Sequence, residues 1–123
     1  MTQIHNPSRA FAEYLVEQLN EIGGVATKRF FSGTALVIGD VQLGFVSSEE
    51  TLYLRLGPDD RDELESLGGE PFSYGRSSGK TTVTPGYFSV PADLLEDRAI
   101  LTDWARRAYA YAQTVHKPKR KRG

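Results

Sequence analysis

Apolar residues Phe11, Leu15, Leu19 and Ile22 recur every three to four positions, with Glu13, Glu17, Gln18 and Glu21 between them. That period predicts an amphipathic helix of about four turns. Asn6-Pro7 supplies a start signal, since Asn caps free N–H groups and Pro tolerates the first helical position. Gly23 supplies the stop, because glycine readily takes the positive φ that ends many helices. From Gly23-Gly24 through Val25–Phe31 to Ser32-Gly33, the helix hands over to the first strand of an antiparallel sheet, and a second glycine turn reverses the chain.

The period then changes to two. Thr34–Ile38 is an apolar, partly β-branched run, and Gly39-Asp40 reads as a tight turn into Val41–Val46. In that strand Val41, Leu43 and Phe45 are expected on one face. Thr51–Leu56 alternates cleanly, with leucines inward and Tyr53 and Arg55 outward. Gly57-Pro58-Asp59-Asp60 opens a short acidic helix anchored by Leu64 and Leu67 and ended by Gly68-Gly69. Pro71–Tyr74 reads as a short strand, Gly75–Lys80 as a turn, and Thr81–Thr84 as extended chain. Pro85-Gly86 then interrupts the strand that Tyr87–Val90 completes. Proline donates nothing to a ladder, so it marks an edge or a bulge. After one helical turn at Ala92–Leu95, Asp97 caps a last helix whose stripe is Leu101, Trp104, Ala105, Ala108, Ala112 and Val115. Arg106 and Arg107 fall mostly off that stripe.

These elements describe an α+β domain: an antiparallel sheet of about five to six strands, an N-terminal helix, a short middle helix and a long C-terminal helix. Residues 1–116 are expected to form one domain and 117–123 a disordered basic tail. The 123 residues, 39% hydrophobic and 25% charged, suit one globular core. The chain has no cysteine, which removes disulfides and thiolate metal sites. It also has no apolar run long enough to span a bilayer and no basic-then-apolar leader. A cytoplasmic location is expected.

Charge changes the picture more than composition does. Net charge is −1, yet Lys117, Lys119, Arg120, Lys121 and Arg122 are five of the fifteen basic residues. Residues 1–116 carry ten Lys+Arg against sixteen Asp+Glu, a net of −6. Cations this dense attract polyanions; the plain alternative is a solubilising tail. Lys28-Arg29-Phe30-Phe31 joins two cations to two aromatics, a set suited to phosphate contacts and stacking. Strand alternation would instead send neighbouring residues to opposite faces. Lys28, Arg29 and the five tail cations are the candidate nucleic-acid contacts.

Other motifs carry less. Gly75–Thr81 reads G-R-S-S-G-K-T, one residue short between the glycines of a phosphate loop and followed by a strand pattern rather than a helix. A nucleotide or anion site would use Arg76, Ser77, Lys80 and Thr81; a hairpin turn is the competing reading. The S-x-x-K spacing of Ser77 to Lys80 lacks the companion motifs of serine–lysine enzymes. His5 and His116 stand at opposite ends. Asp59, Asp60, Asp62, Glu63 and Glu65 lack calcium-loop spacing and read as a solvated helix face. Arg106-Arg107 beside Tyr109 and Tyr111 reads either as an interaction surface or as the outer face of an amphipathic helix.

Several segments in order carry a resemblance: Val25–Gly33, Thr51–Arg55, Glu70–Tyr74, Tyr87–Pro91, and Leu94–Asp97 leading into Trp104–Ala108. Together, from about Phe11 to Ala112, the chain resembles the TfoX N-terminal domain family, named after regulators of bacterial DNA uptake. The resemblance implies an antiparallel sheet flanked by helices, similar to secretion-chaperone-like folds, with no known catalytic residues and no cofactor. Phe30-Phe31-Ser32-Gly33 stands where the family's Met-Phe-Gly-Gly turn is usual. Full-length competence regulators carry a second helical domain, whereas this sequence continues into lysine and arginine. The expected function is a non-enzymatic regulatory or interaction module, with another protein or nucleic acid as partner and no catalytic, cofactor or metal residues. Two alternatives stand beside it: a nucleotide- or anion-binding protein or enzyme using Gly75–Thr81, and a homodimeric adaptor joined by a sheet edge or the Trp104 helix.

Overall fold

A computed structural model describes residues 7–30, 33–75 and 81–115. The first helix, α1 (Pro7–Gln18), leads into four strands: β1 (Val25–Phe30), β2 (Gly33–Ile38), β3 (Val41–Val46) and β4 (Leu52–Arg55). An acidic helix α2 (Pro58–Ser66) precedes β5 (Pro71–Gly75) and β6 (Thr81–Ser89), and α3 (Ala92–Leu95) precedes the long α4 (Arg98–Val115). All six strands are antiparallel in one sheet of order β1-β2-β3-β4-β6-β5. The expected α+β class and element order are what the structure has.

One face of the sheet holds the core. Leu36, Leu43, Val46, Leu52, Leu54 and Leu56 meet Ala12, Leu15 and Leu19 from the first helix and its exit, Leu64 from α2, and Leu101, Trp104, Ala105 and Ala108 from α4. The two long helices supply that stripe at three- and four-residue spacing, so packing rather than propensity holds them in place. Near its entry, α1 is also pinned to the sheet by a buried hydroxyl pair, Ser8 Oγ to Thr34 Oγ1 at 2.9 Å.

The sequence reading needs adjusting at three points. Regular helix ends at Gln18 rather than Ile22, and residues 19–22 form tighter turns in which the Leu19 N–H is shared between the Leu15 and Val16 carbonyls. Gly23, at φ +82°, turns the chain toward β1 as expected. Arg98 takes the last carbonyls of α1, donating from Nε to Gln18 O and from Nη2 to Glu17 O, both at 3.2 Å. In α2 only Leu64 is buried; Leu67 lies at the helix end, half exposed.

The remaining adjustment is one of two bulges. The β2–β3 register shifts between Leu36 and Val37: Val37 pairs with Gln42, but Leu36 pairs with Gly44. The extra residue on β3 moves the rest of that strand to the other face. Val41 and Leu43 therefore stay on the core side with Val46, while Phe45, expected beside them, points away. Gly44 sits at this bulge because a Cβ there would run into the Tyr53 carbonyl and the Leu54 side chain. The second shift lies between Pro71 and Phe72, whose partners on β6 are Phe88 and Thr84. It absorbs Pro85-Gly86 as a bulge inside the sheet, one of the two arrangements the proline was expected to mark, and Leu56 N–H donates to Gly86 O at 2.7 Å.

Asp97 caps α4 as expected, its Oδ1 accepting from the Ala99 and Ile100 N–H groups at 3.0 and 3.1 Å. Leu101→Ala or Trp104→Ala should each lower unfolding free energy by ~2–5 kcal/mol in a urea titration. Gly44→Ala should cost about 1–3 kcal/mol, because backbone rather than a movable side chain blocks the added methyl.

Candidate functional site

The opposite face of the sheet is aromatic. Alternation along β4 aims Tyr53 and Arg55 away from Leu52, Leu54 and Leu56, and the bulge on β3 brings Phe45 to the same side. The Phe45 ring then touches four others: Phe30 and Phe72 at 5.0 Å between centroids, Tyr53 and Tyr87 at 5.2 Å. Tyr53 also meets Phe72 edge-on at 4.9 Å. Such pairs are worth ~0.5–1.5 kcal/mol each beyond buried area. Phe45 is 4% exposed, closed over by its neighbours, whereas Phe30, Tyr53, Phe72 and Tyr87 are half-buried. Gln42 Nε2 donates to the Tyr87 hydroxyl at 3.2 Å, and the Arg55 guanidinium lies 5.8 Å from that ring's centroid.

The hydroxyls of this face are held protonated. Burial raises the Tyr53 pKa above its ordinary value, and the carboxylates of Glu49 and Glu70 add to the shift. For Tyr87 burial again leads, opposed in part by the Arg55 charge and by hydrogen bonds from Gln42 and Arg55.

The two candidate nucleic-acid residues that are described, Lys28 and Arg29, lie on opposite faces of the sheet. Lys28 pairs with Ala35, and Ala35 with Phe45, so Lys28 lies in a cross-strand row of the aromatic face. Arg29 pairs with Thr34, whose hydroxyl bonds Ser8 of α1, and so belongs to the helix side. Both cations are exposed. Lys117, Lys119, Arg120, Lys121 and Arg122 lie outside the described residues, as do His5, His116, Arg76, Ser77, Ser78 and Lys80. Gly75 and Thr81 flank that last segment as paired residues of a β5–β6 hairpin, so a strand follows the loop where a phosphate loop needs a helix.

The acidic helix and Arg107 of α4 belong together. Arg107 Nη1 reaches Glu63 at 2.9 Å and Asp60 at 3.3 Å, Nη2 reaches Asp103 at 3.0 Å, and the guanidinium lies 4.4 Å from the Trp104 ring. Burial disfavours its charge, but the Glu63 hydrogen bond and the three carboxylates outweigh that and raise its pKa. Arg107 thus joins α2 to α4, and Arg106 is left exposed. Among the described residues no group of three or more His, Asp or Glu side chains could hold a metal, and no helix is long and apolar enough to cross a membrane.

Sequence reasoning missed the aromatic face. Outward Tyr53 is legible from alternation, but the same rule puts Phe45 on the wrong side, and the convergence of Phe30, Phe72 and Tyr87 depends on strand order. The TfoX N-terminal domain family model matches residues 17–112 of the 123-residue chain. No curated protein matches it.

Tyr53 and Tyr87 keep their protons to higher pH folded than unfolded. Their contribution to stability is therefore complete below the unfolded tyrosine pKa of about 10, and is lost as pH climbs through the higher folded values. Urea midpoints should fall on the alkaline side of that pH, and the fall should be shallower in Tyr53→Phe/Tyr87→Phe, which cannot ionise there.

Proposed function

This chain belongs to the TfoX N-terminal domain family, and from that membership we propose that it is a non-enzymatic regulatory or interaction module, of the kind found in competence regulators. The observation that carries the reading is the family match across most of the chain. Its partner is nucleic acid, engaged first through Lys117, Lys119, Arg120, Lys121 and Arg122. The charge division of the sequence supports this: the five cations follow a body of net charge −6 that on its own repels phosphate. A cytoplasmic location agrees with such a role.

The test is binding of duplex and single-stranded DNA at two salt concentrations, by the full chain and by a chain ending at His116. Binding through the tail should weaken with salt, the log–log slope steepening by roughly 0.7–0.9 for each phosphate neutralised. Removing residues 117–123 should flatten that slope and lower affinity for all sequences alike. Unchanged affinity and slope after the deletion would remove the tail from the function.

A further inference from the structure

We propose that the aromatic face of the sheet is a self-association surface, on which two copies of this chain pack face to face about a two-fold axis lying along the strands. This is independent of the tail and of nucleic acid. The described helices place their core side chains on the other face, leaving Phe30, Tyr53, Phe72 and Tyr87 half-buried around Phe45. Rings of this kind are enriched in interface centres, and charges are kept to the rim.

The charges here are arranged to match their own image. One cross-strand row runs Lys28–Ala35–Phe45–Tyr53–Ser89. Glu70 continues it: Ser89 N–H donates to Glu70 O at 2.8 Å, and Glu70 N–H donates to Ser89 Oγ at 3.0 Å. The row therefore begins with an exposed cation, crosses the rings and ends with an exposed carboxylate. A two-fold axis along the strands through its middle reverses the row, setting Lys28 of each copy opposite Glu70 of the other. Isologous contacts need this self-complementarity.

Size and charge agree. Six strands at about 4.8 Å spacing and roughly 20 Å of strand length give about 550 Å² per copy, reaching the ~1,000 Å² that a specific interface requires in total. The Glu49 and Glu70 carboxylates that act on Tyr53 favour a protein surface over a phosphate backbone.

Light scattering and sedimentation of the full chain test this, with Lys28→Glu, Glu70→Lys and the double variant alongside. The wild type should rise with concentration toward twice 13.7 kDa. Each single reversal should weaken association about tenfold or more, near 1.4 kcal/mol, and the double exchange should restore it. Circular dichroism should be unchanged in all three, since both side chains are exposed. A monomer at about 200 µM overturns the proposal, as does a dimer indifferent to the reversals or one the double exchange does not rescue. A monomer in which a single-stranded oligonucleotide shifts the NMR resonances of the Tyr53 ring assigns the face to nucleic acid instead and also overturns it.

Discussion

One extra residue on β3 decides what each face of the sheet is for. Without the shift between Leu36 and Val37, strict alternation would leave Phe45 among the helices and send Val46 outward. With it, Leu43 and Val46 both reach the core, and Phe45 becomes the centre around which four rings gather. Gly44 makes the shift sterically possible, since the backbone of β4 passes where its side chain would be. Core and aromatic face are two results of one local irregularity.

Much of this architecture is legible in the residues, for identifiable reasons. The helical stripes of α1 and α4, the Asp97 cap and the Leu52–Leu54–Leu56 alternation are local patterns, and local patterns survive folding. The bulge is different. No residue type in Val41–Val46 signals it beyond Gly44, and glycine in a strand also serves other ends. Leu67 misled because an apolar residue beside a helix end reads as an anchor, while the turn at Gly68 leaves it half exposed. Convergence of Phe30, Phe72 and Tyr87 is set by strand order, which periodicity does not encode. The tail cations are plain in sequence but stand outside the described residues.

Charge is allocated with a similar division. Several body arginines are occupied internally: Arg107 by three carboxylates and an indole, Arg98 by carbonyls of α1, Arg61 by the Leu56 carbonyl at 3.0 Å. Their role is to join elements, and the half-exposed pairs among them are modest in energy. Lys28, Arg29 and Arg106 remain exposed. These guanidiniums keep their charge but are held against groups of the fold, and residues 1–116 carry a net charge of −6 with them included.

The Arg98 contact has a consequence for the order of events during synthesis. It fills carbonyls of Glu17 and Gln18 from a residue about eighty positions later in the chain. Until Arg98 has been made these carbonyls lack the guanidinium, although the Glu17 oxygen also accepts from the Asn20 N–H at 3.3 Å. The guanidinium contact that finishes the end of α1 thus forms late, after all six strands of the sheet have been made and α4 has begun. Such distant partners slow the search for the native arrangement, and they tie completion of the first element made to arrival of the last.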